Sequence, residues 1–396
     1  MRRVTRRTHA VVAVLLACLA TALLPGAPAA RADSIRDQQW PLTTLHAAQA
    51  WRTSEGEGVT VAVLDTGVDG THPDLTGQVL PGTDLVGFGA KRGDSAWARH
   101  GTAMAGIIAG HGHGPGGSEG VMGIAPRAKI LPVRVILEDT DPKRQQARET
   151  RGGALAQGIR WAADHGADVI NLSLGDDSKT AHPDAAEDEA VQYALDKGVV
   201  VVASAGNSGQ NGDPASYPAA YPGVIAVTAV DRYGHRAAFS TERWYATVGA
   251  PGVDVVIADP DRDYYEGWGT SAASAYVSGV VALIRSAYPR LSPGQIRTLL
   301  ETTATGTPSG GRDDAVGAGV VDPVAALAAA ARLRPAAQTP AAAAYAHRYF
   351  GSGPASGAPK AAAGGTSGLA PVAAVAGLCL LAVAAALRVY VWRLRG

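Results

Sequence analysis

The sequence predicts a doubly wound α/β domain, a mostly parallel sheet covered by helices on both faces, with one transmembrane helix added near the C-terminus. Three observations carry this expectation. Short β-branched runs alternate with helical patterns through residues 33–332. The runs are almost continuously apolar, without the in-out alternation of a half-exposed strand, so they suit strands buried on both faces. A stretch without charge covers residues 369–387, and at about 1.5 Å per residue it is long enough to cross a bilayer core.

Taken in chain order, Arg2, Arg3, Arg6, Arg7 and His9 precede an uncharged run over residues 10–24, and Ala30-Arg31-Ala32 precedes Asp33. This is the layout of a secretory signal peptide, residues 1–32, cleaved after Ala32. Leu15-Leu16-Ala17-Cys18 and Thr5-Arg6-Arg7 carry fragments of a lipoprotein box and a twin-arginine signal. The apolar run continues past Cys18, which favours the ordinary secretory signal. Strands are expected over residues 59–64, 128–135, 168–174, 198–203 and 224–230, and helices over 100–110, 154–165, 185–197 and 271–288. Ser292-Pro293 and Asp322-Pro323 open two further helices, each pairing a capping side chain with a proline at the first helical position. Residues 333–368 are rich in Pro, Ala, Gly and Ser and read as a linker. The span 369–387 is followed by a basic tail, residues 388–396, with Arg388, Arg393 and Arg395. The positive-inside rule then places the C-terminus in the cytoplasm and the body outside. The alternative for that span is an Ala-rich buried helix.

Composition narrows the function. Lys plus Arg and Asp plus Glu each number 35, so the basic excess of a nucleic-acid binder is missing. With 46% apolar residues the chain can bury a large core. The two cysteines, Cys18 and Cys379, lie in the two end segments, which leaves the body without disulfide or Cys-zinc chemistry.

In an open α/β sheet, ligands bind beyond the carboxyl ends of the strands, and three motifs fall there. The run 59–64 leads into Asp65-Thr66-Gly67. His100-Gly101-Thr102-Ala103-Met104-Ala105-Gly106 opens one small-residue helix and Gly269-Thr270-Ser271-Ala272-Ala273 opens another. A serine hydroxyl attacks poorly unless a base accepts its proton and a carboxylate holds that base in the right tautomer. Ser271 is thus the candidate nucleophile, His100 the general base and Asp65 the orienting acid. The run 198–203 delivers Asn207, whose amide could donate to an oxyanion. Removing one such donor from a serine protease costs about 3 to 4 kcal/mol of barrier.

The order Asp, His, Ser with D-T-G, H-G-T-x-x-A-G and G-T-S-x-A resembles the subtilisin-like serine protease family over residues 40–330. The resemblance extends to His72-Pro73-Asp74-Leu75, Gly123-Ile124-Ala125-Pro126 and Asn171-Leu172-Ser173-Leu174-Gly175. It implies that Ser173, Leu174 and Gly175, with Ser204, Ala205 and Gly206, line a cleft that binds substrate backbone as an added strand and forms the main specificity pocket. Ala272 and Ala275 stand where the family usually has Met and Pro. Many secreted members carry an N-terminal propeptide, and only seven residues separate Ala32 from Trp40. With the C-terminal linker and span, this resembles the mycosins, membrane-anchored members tied to type VII secretion systems. The resemblance then implies protein or peptide substrates at the cell membrane and a type VII secretion membrane complex as partner. A general surface protease and a secretion-complex scaffold whose proteolysis is dispensable are the alternatives.

Competing readings fail on the same letters. An aspartic protease needs two carboxylates in D-T-G-like motifs and only Asp65 sits in one. The α/β-hydrolase elbow G-x-S-x-G fits neither Ser173 nor Ser271. His72 is expected to be structural, His111-Gly112-His113 a solvated loop without a metal, and residues 138–151 a solvated insertion. No cofactor is expected. Calcium is common in the family, but no dense acidic loop assigns a site.

Overall fold

The computed structural model describes residues 34–261 and 263–338. Three short helices, α1 Ser34–Asp37, α2 Trp40–Thr44 and α3 Ala47–Ala50, precede β1 Thr60–Asp65. There follow β2 Thr83–Asp84, α4 Arg99–Ala109, the hairpin of β3 His111–His113 with β4 Glu119–Met122, β5 Lys129–Arg134, α5 Arg144–Thr150, α6 Ala154–Asp164, β6 Val169–Leu172, α7 Ala185–Asp196, β7 Val200–Ser204 and β8 Ile225–Val230. The chain continues through β9 Ala246–Pro251, a second hairpin of β10 Val255–Ala258 with β11 Tyr264–Gly267, α8 Thr270–Ala287, α9 Pro293–Thr303 and α10 Pro323–Ala330.

Seven strands form one parallel sheet in the order β2-β5-β1-β6-β7-β8-β9. From β1 the chain goes first to the β5 side and then returns to lay β6, β7, β8 and β9 on the other, so the winding reverses at β1. The carboxyl end of β1 is therefore the switch point where such sheets open a crevice. Residue parity shows both faces covered. Val61 and Val63 join the main core with α4 and α8, whereas Leu64 faces α6, where a Cβ built on Gly158 would stand 3.3 Å from it. Central strands are fully buried, which is why their sequence reads as unbroken apolar runs.

Helix α8 runs through the core: fifteen of its eighteen residues are buried, so it is apolar on every side rather than amphipathic. Its small residues permit close approach. A Cβ on Gly279 would fall 1.9 Å from Ile124 Cγ2. The two Ser/Asp-Pro starts behave as expected: Ser292 and Gln295 form a reciprocal capping box on α9, and Asp322 accepts from the Ala325 N–H on α10.

Two local expectations are corrected. His111-Gly112-His113 is not a solvated loop but strand β3, paired with β4. His113 Nδ1 lies 2.6 Å from Asp74, whose carboxylate is fully buried and also accepts from Val121 N–H and the Tyr264 hydroxyl. A buried carboxylate needs this many donors; the β3–β4 hairpin supplies two of them and β11 the third. The 138–151 segment is only partly solvated. It contains α5, and Asp141 is 4% exposed because it accepts from the backbone of Ala90 and Lys143. The other departures are elements that lacked a signal. Strand β9, Ala-Thr-Val-Gly-Ala-Pro, has few β-branched residues and ends on an edge-strand proline.

Among the described residues no helix is long and apolar enough to cross a membrane. The expected signal peptide 1–32, the transmembrane span 369–387, the tail 388–396 and most of the linker 333–368 lie outside the described residues.

Candidate active site

Asp65 is the last residue of β1 and is fully buried at the switch point. One oxygen accepts from the Thr66 N–H at 2.7 Å, and both face His100 Nδ1, at 2.9 and 2.8 Å. His100 stands in the first turn of α4, with about a third of its side chain exposed. That turn is anchored from outside the helix. Its N-cap, Ala98, is left-handed at φ 57° and offers no side-chain cap. Glu138 accepts from the His100 N–H at 2.9 Å and Thr66 Oγ1 from the Gly101 N–H at 3.1 Å, meeting donors that helix geometry leaves free. Gly101 is required for this approach, since a Cβ there would stand 2.0 Å from the Gly67 carbonyl oxygen.

The electrostatics of His100 follow from this placement. Burial alone would lower its pKa. The Asp65 charge and hydrogen bond, aided by Glu138 and Asp139, outweigh burial and push it up to about 9. A carboxylate on Nδ1 fixes the tautomer that leaves Nε2 as the acceptor and favours the imidazolium once a proton arrives.

Ser271 lies in the first turn of α8, after Gly269. Its Oγ donates to the Ser173 carbonyl at 3.1 Å; among the described residues no hydrogen bond joins it to His100. The structure thus pairs Asp65 with His100, and it ties Ser271 to the end of β6. That tie is deep. Ser173 Oγ lies 2.9 Å from both the Ser271 carbonyl and Ser274 Oγ. Asn171 Nδ2 donates to Ser173 Oγ, and Ser278 Oγ donates to Asn171 Oδ1. Asn171, Ser173, Ser274 and Ser278 are all at most 2% exposed, so this network locks the start of α8 against the sheet. Ser274 and Ser278 escape sequence reasoning, although their spacing of three and seven residues after Ser271 along one helix face is the available signal.

Asn207 follows β7. Its Oδ1 accepts from both the N–H and the hydroxyl of Thr270, each at 2.9 Å. A backbone N–H can only donate, so the amide oxygen must face Thr270 and the NH₂ group turns the other way. A Cβ built on Gly269 would be 3.7 Å from Asn207 Nδ2 and 3.9 Å from Ser271 Cβ, so the amide and Ser271 both border the Gly269 position. The other predicted residues form two facing segments. Ser204, Ala205 and Gly206 continue β7, while Ser173, Leu174 and Gly175 continue β6, and Ser204 Oγ donates to the Leu174 carbonyl. Gly206 at φ 110° donates to Thr270 Oγ1. Trp268, 66% exposed, packs at a tilt against Phe239 immediately before Gly269, and no sequence pattern singled it out.

His72 is structural in its surroundings: fully buried, it accepts from the Asp74 N–H, and burial lowers its pKa. Among the described residues no group of three or more His, Cys, Asp or Glu side chains could hold a metal ion.

Residues 56–319 match the profile of the Subtilase family. Fervidolysin of Fervidobacterium pennivorans is 39% identical over 321 residues, covering 74% of this chain, which spans only 44% of fervidolysin's length. Its crystal structure superposes with a TM-score of 0.64 over 77% of this chain and 48% of that one. Mycosin-1 of Mycobacterium tuberculosis is 36% identical, with 78% of this chain and 76% of mycosin-1 covered. The MycP3 protease from a type VII secretion system is 33% identical with a TM-score of 0.61, covering 77% of this chain and 90% of that one. The profile match spans about two thirds of the sequence and the structural likeness covers 77% of it, so the chain belongs to the subtilase family.

Proposed function

We propose that the protein is a serine endopeptidase in which Asp65, His100 and Ser271 act as a triad. The observation that carries the reading is the Asp65 to His100 Nδ1 pair at 2.8 Å, set at the sheet's switch point with the first turn of α8 alongside. In the reaction, the Ser271 hydroxyl turns from the Ser173 carbonyl toward His100 Nε2. Oγ attacks the scissile carbonyl carbon as Nε2 takes its proton. The oxyanion is met by Asn207 Nδ2 and by the Ser271 N–H, which lies in the first helical turn and lacks an intrahelical partner. His100 then returns the proton to the leaving amine, which departs and leaves an acyl-enzyme. Water attacks by the same route and frees Ser271. Segments 173–175 and 204–206 line the cleft that takes the substrate backbone and the pocket for its side chain.

The likeness to mycosin-1 and to a protease of a type VII secretion system supports a place beside such a system. In that reading the expected leader exports the domain, the expected span 369–387 holds it to the membrane, and the protease acts outside the cell on exported or secretion-complex proteins. The test has two arms. Purified full-length protein should cleave an unfolded protein substrate, and Ser271→Ala should abolish cleavage; a wild-type protein that is folded and inert would overturn the enzymatic reading. In cells, Ser271→Ala should impair export as deletion does. Export lost on deletion but kept in Ser271→Ala would favour a scaffold, and export kept in both would leave a general surface protease.

A further inference from the structure

The segment 138–151 is more than a surface insertion. Leu137, just before it, packs with Val86, Ala147 and Phe88 in a small core of its own. Asp141 takes the Ala90 N–H at 2.7 Å, and Arg144 pairs with Asp139 at 2.7 Å and donates to the Leu137 carbonyl. The two residues flanking Glu138 are thus held, and its carboxylate reaches the His100 N–H at 2.9 Å. Helix α4 has no cap of its own, and Thr66 meets the next donor with a neutral hydroxyl. A neutral acceptor would therefore suffice for the hydrogen bond, yet the chain places a charge there.

We infer that Glu138 is a positioning residue for the proposed base, the inner end of a brace formed by residues 138–151. It fixes the first turn of α4 by its bond to the His100 N–H and adds a second carboxylate, besides Asp65, whose charge acts on the imidazole. The inference rests on the reading of His100 as a base. It goes beyond the triad because Glu138 touches neither substrate nor the reacting atoms. When Ser271 gives up its proton, the imidazolium forms under the charge of two carboxylates rather than one, and the brace keeps the ring from drifting. The other charged and titratable groups around this turn include Asp65 on β1, Arg134 beside it on β5, Asp69 bonded to Thr102 of α4 and paired with Arg92, Asp139 beside Glu138, Arg99 with its partners Asp259 and Asp261, and Tyr265 on β11.

The experiment follows the His100 ring by NMR titration in the full-length protein, which needs no turnover, alongside kcat and KM across pH. Glu138→Gln keeps an acceptor and removes the charge. It should lower the His100 midpoint by about half a pH unit, move the rising limb of kcat/KM down with it and lower the plateau kcat by no more than about threefold, the same charge lost from the imidazolium. Glu138→Ala removes both and should cut kcat about tenfold at every pH with KM little altered. If Glu138→Ala fails to fold, the near-isosteric Glu138→Gln decides alone. An unmoved His100 midpoint in Glu138→Gln overturns the inference. A shifted midpoint in a protein that hydrolyses nothing would uphold the tie to His100 and sink the protease reading instead.

Discussion

In the proposed mechanism Asn207 serves two ends with one side chain. Its oxygen accepts from Thr270 at the start of α8, and that bond turns its NH₂ group away from Thr270. The two roles separate by substitution. Asn207→Ala should lower kcat about 10²- to 10³-fold with little change in KM, and the lost cap should cost about 1 kcal/mol in urea unfolding. Asn207→Asp keeps the acceptor, so it should hold the wild-type melting temperature, yet its charge repels an oxyanion and kcat should stay low. An active Asn207→Asp enzyme would remove Asn207 from the oxyanion role.

Between elements, the contacts that set the site are close approaches rather than large side chains. Gly101 sits in a helix, where alanine is normally favoured by about 1 kcal/mol. Here the added methyl meets the Gly67 carbonyl oxygen at 2.0 Å and Asp65 Cβ at 3.2 Å. Overpacking should win, so Gly101→Ala is expected to destabilise the fold by about 2 kcal/mol and to displace His100 from Asp65. Equal or greater stability by urea unfolding would contradict this packing. This scale also explains what was legible in advance. Strands β1, β5, β6, β7 and β8 announce themselves because burial on both faces demands unbroken β-branched runs. Asp65, His100, Ser271 and Asn207 stand out because each follows a strand or opens a helix in a glycine-rich motif. His111–His113 could not be read, since its strand exists to bring donors to Asp74, a long-range demand with no periodic trace. The reach of Glu138 to the His100 amide has the same character: 38 residues separate the partners, and only folding makes them neighbours.

For the molecule as a whole, two histidines with opposite shifts shape stability against pH. His100 is raised to about 9. From about pH 6.5 to 9 the folded chain keeps a proton that the unfolded chain has released, so this contribution is lost as pH rises through that window. His72 is lowered by burial. Below about 6.5 the unfolded chain takes up a proton that the folded chain refuses, and stability falls as pH drops. These two contributions therefore act on opposite sides of about pH 6.5. Melting temperatures across pH 5 to 10 should flatten on the alkaline side in His100→Ala; an unchanged alkaline slope would show that His100 carries no such shift. In the proposed mechanism activity runs the other way, because His100 must be neutral to act as base, so kcat/KM should climb through the same alkaline window.

The most direct measurement is covalent. A fluorophosphonate reacts only with a serine whose hydroxyl has been activated by a neighbouring base. Peptide mapping of the labelled full-length protein should place the adduct on Ser271, and labelling should vanish in Ser271→Ala and His100→Ala while both remain folded. A folded wild-type protein that takes no label, or takes it on another serine, would contradict the assignment of Asp65, His100 and Ser271 as one catalytic unit.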